Sequence, residues 1–397
     1  MKSLLFFVFL SISVSAQQID PIIYNNQPYP TSLVSAVVEH SDSVYACQLS
    51  GTSYGDFDQL IIFKYDSNHD LVLEKSMDSP VGTLISCHLI SNPAGLWLTG
   101  AYRQEKTNTS GIFWANVDGN LELGELLLQE TGPYYADQFS ISTDANRTLI
   151  AGTLSTSPFV IKPFMLLLDD KMHVVDFHMA HEDAYDVESA LLFDDYYLLL
   201  GAGIWKYNFD HVLLDAVLFE SPNEVARTKS LKMGSDVFFT LRRTFGWESG
   251  DWSLLLEKRN TDLQILGTLV LESDYMIEDV NKFGALVKLS ENKIGISAYA
   301  FEDKLNFPFV QSPSSLLLWE ISNNLEVSHQ AAFAFKDFHY PYTVHFREGQ
   351  TYIGGFFVDA GQKLSPFLFR FNKKRRLPVL KLGPYDKLDF TKSEQEK

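Results

Sequence analysis

The densest run of side chains able to hold a metal or move a proton is His178 to Asp186, HMAHEDAYD. Imidazoles and carboxylates together suit a divalent ion. The spacing speaks against one. His178 falls in an expected strand, where successive side chains point to opposite faces. The run also lacks the alternating Asp/Asn and central Gly of a calcium loop. NVDGNLELGE from Asn116 reads as a hairpin turn for the same reason. Cys47 and Cys87, even with His88 beside the second, do not have the ligand spacing of a zinc site. No metal and no cofactor is expected, and no haem-attachment C-x-x-C-H is present in the chain.

Catalytic signatures are equally sparse. The one G-x-S-x-G match, Gly51 to Gly55, lies in a polar stretch between two expected strands and lacks the strand-to-helix turn of a nucleophile elbow, and no S-x-D-x-G-x-x-W box stands in the turns. Glycoside hydrolysis needs two carboxylates at a defined separation. With 50 Asp and Glu residues, candidate pairs are too plentiful to point anywhere. An enzyme would have to work from a central channel with acids such as Asp137, Asp186 or Asp279.

A more specific pattern is the recurrence of tyrosines and acids in the polar stretches. GPYYAD holds Tyr134, Tyr135 and Asp137, and AHEDAYD holds His181 and Asp186. TFGWESGDW holds Trp247 and Trp252, ESDYMIED holds Tyr275 and Asp279, and KDFHYPYT holds His339 and Tyr340. Aromatic faces stack on the C–H faces of sugars while carboxylates bond the hydroxyls. Tyr and Trp also dominate protein hot spots. Packing of aromatics over strand ends is the alternative to both. The stretches are read as loops, and these eleven residues are the candidate ligand contacts.

The elements that position them repeat. Ser43 to Met77 reads as three short strands, the last two joined by the turn Asp66-Ser67-Asn68-His69, where Asp and Asn tolerate a left-handed backbone. A leading strand precedes them. Leading strands then start at Leu33, Leu84, Asp137, Asp186, Arg227, Phe283 and Pro341, a period of roughly fifty residues. Second strands (VYACQL, LWLTGA, TLIAGT, YYLLLG) often end in Gly. Third strands (LIIFKYD, GIFWANVD, FMLLLDD) run into an Asp or Asn turn, and fourth strands follow, LPVLKL from Leu377 being the last. Four short strands per repeat, apolar on both faces, define an all-β, seven-bladed β-propeller of four-stranded antiparallel blades, with six or eight blades as alternatives. Asp20 to Tyr24 is available to add a strand to the last blade. No helical periodicity competes.

The pattern SVYACQLSGTSYGDFDQLIIFKYDSNHDLVLEK resembles the repeats of secreted bacterial β-propeller proteins of the Bacteroidetes type. There a Gly-containing second strand and a D-x-hydrophobic third strand ending K-x-D alternate with Asp-rich turns. The resemblance implies a propeller fold and export, not a ligand. Many such proteins carry a C-terminal sorting domain, and none is expected after Gly383.

The N-terminus agrees with export. Met1-Lys2, the apolar run Leu4 to Val14 and the small residues before Gln17 fit a secretory signal peptide over 1–16, the run being too short to span a bilayer. The expected organisation is signal peptide 1–16, one propeller domain 17–383 and a polar tail 384–397. A net charge of -18 excludes a nucleic-acid binder. A monomer outside the cytoplasm, secreted, periplasmic or at the cell surface, is expected. It would have no transmembrane segment, and a glycan or an extracellular protein as partner. A glycan-acting hydrolase or lyase and a structural envelope component are the alternatives. Export permits a Cys47–Cys87 disulfide, but the spacing of the two residues does not decide it.

Overall fold

The computed structural model describes residues 19–24, 31–53, 56–68, 70–104, 106–157, 160–179, 186–219, 228–246, 251–271, 276–280, 285–301, 314–334, 339–347, 350–358 and 364–372. All regular elements among them are strands, and no helix there is long and apolar enough to cross a membrane. The first strand, β1 (Ile19–Tyr24), is set aside for the end of the ring.

Blade 1 holds β2 (Thr31–His40), β3 (Ser43–Ser53), β4 (Asp56–Tyr65) and β5 (Leu71–Asp78). Blade 2 holds β6 (Thr83–Asn92), β7 (Gly95–Gln104), β8 (Thr109–Val117) and β9 (Leu127–Gly132). Blade 3 holds β10 (Tyr135–Thr143), β11 (Arg147–Ser157), β12 (Val160–Asp169) and β13 (Val174–Met179). Blade 4 holds β14 (Val187–Leu192), β15 (Tyr196–Gly201), β16 (Gly203–Asn208) and β17 (Leu213–Leu218).

Blade 5 holds β18 (Thr228–Lys232), β19 (Val237–Gly246), β20 (Asp251–Asn260) and β21 (Ile265–Leu271). In blade 6 the innermost strand is split into β22 (Met276–Val280) and β23 (Leu286–Ser290), both paired with β24 (Lys293–Phe301). β25 (Ser314–Ser322) and β26 (Val327–Ala334) complete it. Blade 7 holds β27 (His339–Arg347), β28 (Gln350–Val358) and β29 (Leu364–Asn372).

The fourth strand of blade 7 is β1, antiparallel to β29 with Ile19 opposite Phe371 and Tyr24 opposite Phe367. The expectation that LPVLKL fills this place is thereby corrected: the edge of β29 is taken by the N-terminal strand, and 377–382 lies outside the described residues. Blades 7, 1 and 2 are continuous only through single pairs, Thr31 with Leu364 and Phe57 with Leu84.

The packing counts the same seven units. Strand alternation sends Tyr45, Cys47 and Leu49 of β3 into the seam with blade 2, and Val44 and Ala46 into the seam with blade 7. Seven buried apolar clusters fill the seven seams between consecutive blades, including the one between blades 7 and 1. Alternating neighbours on a strand thus serve two different cores, which is why the strands are apolar on both faces.

Two devices recur around the ring. The first is a five-residue turn between third and fourth strands. Its opening Asp, Asn or Ser accepts, through the side-chain oxygen, the N–H groups two and four residues on. Asp118 takes those of Asn120 and Glu122, both at 2.8 Å, and Asn208 takes those of Asp210 at 3.0 Å and Val212 at 2.8 Å. Asp66, Asp169, Asn260 and Ser322 do the same.

The fourth residue of the turn is left-handed although it is not Gly: Leu121, Met172, His211, Leu263 and Leu325 have φ of 62, 66, 60, 61 and 65°. That backbone costs an L-residue about 1–2 kcal/mol. Burying a leucine or methionine side chain returns about 1.5–3 kcal/mol, so the turn holds. Leu121, Met172 and Leu263 are buried, each in the seam with the preceding blade. Trp114 of blade 2 donates its indole N–H to the Met172 carbonyl of blade 3 at 2.8 Å.

The second device is a bulge near the start of the innermost strand. Register shifts fall across Ser35, Ile85, Asp137, Glu188, Glu278 and Tyr342 in blades 1, 2, 3, 4, 6 and 7. Just before the bulge the carbonyl of the innermost strand presses on the second strand. A Cβ at Gly201 would collide with the Asp186 carbonyl, and one at Gly355 with the Tyr340 carbonyl. The glycines at the ends of second strands answer this close approach.

Innermost strands also have one unpaired edge. Side chains of the preceding blade cap its N–H groups. Ser140 Oγ accepts from Ala190 N–H at 3.2 Å and Ser142 Oγ from Leu192 at 3.0 Å. Ser189 Oγ accepts from Ser230 at 3.0 Å, and Glu188 Oε2 from Thr228 at 2.7 Å.

Asp118→Ala removes two turn hydrogen bonds and lowers stability by about 1–2 kcal/mol, whereas Asp118→Asn stays within about 0.5 kcal/mol because Asn208 and Asn260 already do this work. Leu121→Ala empties the seam between blades 1 and 2 and costs about 2–5 kcal/mol. Chemical denaturation of the full chain checks both.

Candidate functional site

With antiparallel four-stranded blades, connections alternate between the two ends of the ring. First-to-second and third-to-fourth turns emerge at one end. Second-to-third loops and the blade-to-blade links emerge at the other. The turn end is nearly uniform, as the repeated five-residue turn shows. The loop end is not: the second-to-third connection is Ala202 alone in blade 4 and residues 302–313 in blade 6. Among the described residues, the candidate contacts lie at or next to the loop end.

Several of these positions are strand rather than loop. Tyr135 and Asp137 belong to β10, and Asp137 is the extra residue of its bulge. Asp279 belongs to β22, opposite Tyr299. Trp252 pairs with Phe245 in blade 5, and His339 with Phe357 in blade 7. The loop assignment of Tyr135, Trp252, Asp279 and His339 is corrected, whereas Asp137 is in the leading strand expected to start there. The bulge breaks the period-two alternation, so the residues ahead of it do not look like strand in sequence, yet their main chain still pairs. His181, Trp247 and Tyr275 lie outside the described residues.

Three candidates have described side chains. Asp186 is exposed, directly before β14. Tyr134 is half-buried against the seam of blades 2 and 3, with Lys162 Nζ 5.1 Å from its ring centre, and its carbonyl accepts a hydrogen bond from Thr131 Oγ1. Tyr340 is half-buried, stacked on Phe356 at 5.2 Å and 13°, and 4.7 Å from the Tyr299 ring. Tyr342 beside it is buried. Tyr340 and Tyr342 therefore contribute to packing at blade 7. Asp56 and Arg103 join the loop ends of blades 1 and 2 through a half-exposed ion pair at 3.1 Å.

Two clusters went unread in the sequence. On blade 5, Glu257 Oε1 accepts from Arg242 Nη2 at 3.2 Å and Glu257 Oε2 from Arg259 Nη2 at 2.9 Å. Arg259 Nη1 also donates to the Leu263 carbonyl at 2.6 Å. All three ionic side chains are at least nine-tenths buried, and Phe219 lies 3.9 Å from the Arg242 guanidinium carbon. The signal was present: Glu257 and Arg259 share one face of an otherwise apolar strand, SLLLEKRN. At blades 3 and 4, His211 occupies the left-handed turn position filled by Leu or Met in blades 2, 3, 5 and 6. Its Nε2 lies 2.6 Å from Asp176 Oδ2, its Nδ1 2.9 Å from the Tyr197 hydroxyl, and its ring stacks on His178 at 4.0 Å.

The Asp176–His211–Tyr197 chain has the connectivity of a proton relay, but its surroundings make it a seam contact. Burial pushes the Tyr197 hydroxyl well above the ordinary tyrosine range, with Tyr207 and Asp176 adding to the shift. The adjoining cavity, between Phe164, Met165, His178, Tyr197 and Tyr207, holds about 40 Å³. That is room for about one water, against several hundred Å³ for a small-molecule site. Among the described residues, no group of three or more His, Cys, Asp or Glu is placed to hold a metal ion.

No protein-family model and no curated protein matches the chain. Solved structures do. Raptor of Chaetomium thermophilum superposes with a TM-score of 0.51 at 10% identity, over 90% of this chain and 30% of that one. The β-propeller domain of the trilobed protease of Pyrococcus furiosus, described as having an open velcro topology, gives 0.50 at 11% identity, over 89% and 98%. The chain thus spans less than a third of Raptor and nearly all of the archaeal domain. At these identities the likeness is one of fold. It agrees with the propeller read from the strand pairing.

Glu257→Gln leaves two buried guanidinium groups without a carboxylate and lowers stability by about 3–5 kcal/mol. Thermal and urea unfolding of the full chain measure it. A change below about 0.5 kcal/mol contradicts the buried cluster.

Proposed function

We propose that the protein is an exported binding propeller that presents its loop end to a glycan or an extracellular protein. The observation that carries the reading is the contrast between the two ends. One end repeats the same turn six times, and at the other the second-to-third connections run from one residue in blade 4 to twelve in blade 6. Variable loops on a rigid scaffold are where propellers and other repeat folds place recognition. The loop-end segments carry Tyr134, Tyr135, Asp137, His181, Asp186, Trp247, Trp252, Tyr275, Asp279, His339 and Tyr340, a set rich in tyrosine and acid. The net charge of -18 disfavours anionic surfaces as partners. Export over the signal sequence 1–16, a bacterial origin and a site outside the cytoplasm belong to the same proposal.

A second reading has one observation behind it. The innermost strands of blades 3, 4 and 6 carry acids at or beside the bulge, Asp137, Glu188 and Asp279. A bulge re-aims a side chain, and acids at or beside the bulges of several innermost strands suit a glycan-acting enzyme. Turnover of a glycan panel, abolished by Asp137→Asn, is its test.

Asp186 is the residue to vary for the binding reading, since it is exposed whereas Tyr340 is packed. A bound ligand at a hundred times its dissociation constant adds about 2.7 kcal/mol to folding. The mature chain is expected to begin at Gln17 and to gain a few degrees in midpoint with one glycan class, a gain weakened by Asp186→Ala. If no glycan shifts the midpoint and no extracellular protein is retained on the immobilised chain, the binding reading fails.

A further inference from the structure

We propose that Cys47 and Cys87 are the two halves of an oxidative cross-link that fastens blade 1 to blade 2. Cys47 stands in the middle of β3, between Ala36 and Ile62 on its neighbouring strands. Cys87 stands in β6, the innermost strand of blade 2, opposite Gly100. Strand alternation turns both side chains into the same seam, where each is fully buried and their sulfurs lie 3.4 Å apart. A disulfide requires about 2.05 Å between sulfurs, so the two must close by roughly 1.4 Å, within reach of a small rotation about Cα–Cβ. Among the described residues, the strands of the two blades pair only at Phe57 with Leu84. A covalent bond adds a second tie, and it joins positions 40 apart in sequence.

The surroundings suit a cross-link and no other thiol chemistry. The seam is apolar, and among the described residues no third ligand stands near to make a metal site. Burial pushes the Cys87 thiol well up, with a hydrogen bond from Cys47 adding to it. Since the thiolate is the reactive form, the pair is inert once the blades have closed. Oxidation therefore precedes the seating of blade 2 on blade 1, or follows its local opening. The oxidant is a small disulfide of the glutathione class. The thiolate of one cysteine attacks it, forms a mixed disulfide and releases one glutathione thiolate. The thiolate of the second cysteine then attacks the protein sulfur of the mixed disulfide and expels the other. Two protein S–H bonds are lost, one protein S–S bond forms, and the small disulfide leaves as two thiols.

The test is refolding of the full chain from denaturant in a glutathione redox buffer, followed by unfolding in iodoacetamide and mass analysis. The proposal expects a chain two hydrogens lighter than the reduced protein, unalkylated, with one peptide pair joined through Cys47 and Cys87. It also expects the thermal midpoint to rise by several degrees over that of the reduced wild type, because the closed loop limits the unfolded chain. Cys47→Ser should show no difference between oxidising and reducing buffers. If that variant does not fold, the reduced wild type is the unlinked reference. Two fully alkylated cysteines after oxidative refolding overturn the proposal, as does a cross-linked chain with an unchanged or lower midpoint. Rapid alkylation of the folded, reduced protein overturns the buried geometry on which it stands.

Discussion

Every blade has two apolar faces and no blade can cover either one alone. This constraint organises the rest of the molecule. β3 sends Val44 and Ala46 one way and Tyr45, Cys47 and Leu49 the other, so blade 1 is incomplete until blades 7 and 2 both sit against it. The same holds around the ring, with a core in each of seven seams. A sheet that buries both faces must end somewhere, and the ring removes that end by returning to its start. The pairing of β1 with β29 ties the first residues of the propeller to the last blade.

Accurate docking of one blade on the next is what the recurring devices supply. At the turn end, a left-handed Leu or Met drops into the seam with the preceding blade. Its backbone strain of about 1–2 kcal/mol is tolerable because the burial is worth as much or more. Blade 4 uses His211 instead and replaces apolar burial with hydrogen bonds to Asp176 and Tyr197. Along the innermost strands, serines and Glu188 cap N–H groups that the neighbouring strand edge would leave unpaired. These fixtures occupy the turn end and the innermost strands. The loop end is left to vary in length and composition without disturbing the seams.

The repeat was legible because its parts are local. Asp118, Asp169 and Asn208 announce their turns by residue type alone, and third strands are unbroken apolar runs. Asp20 to Tyr24 stood out as a spare strand, but LPVLKL from Leu377 competed for the same place, and nothing local decides between them. The innermost strands were less legible, since a bulge shifts the alternation and hides Tyr135, Met276 and His339 from a period-two reading. The sixth was placed at Phe283 when it already begins at Met276. The contact residues were the hardest to place. Nothing local tells that Tyr340 stacks on Phe356 while Asp186 faces water, because that depends on which seam or strand end each residue meets. Glu257 and Arg259 were passed over because charges inside a strand usually mean a solvated face, and here the partner Arg242 comes from the adjacent strand.

The ring itself is tested most directly by hydrogen exchange across β29, comparing an intact chain of residues 17–397 with one of residues 25–397. Closure by β1 predicts that amides between Phe367 and Phe371 are strongly protected in the intact chain and lose that protection when β1 is removed, with protection of blades 3 to 5 retained in the cold. Equal protection of β29 in both chains would contradict the closure, and with it the claim that the propeller is completed by its own N-terminal strand.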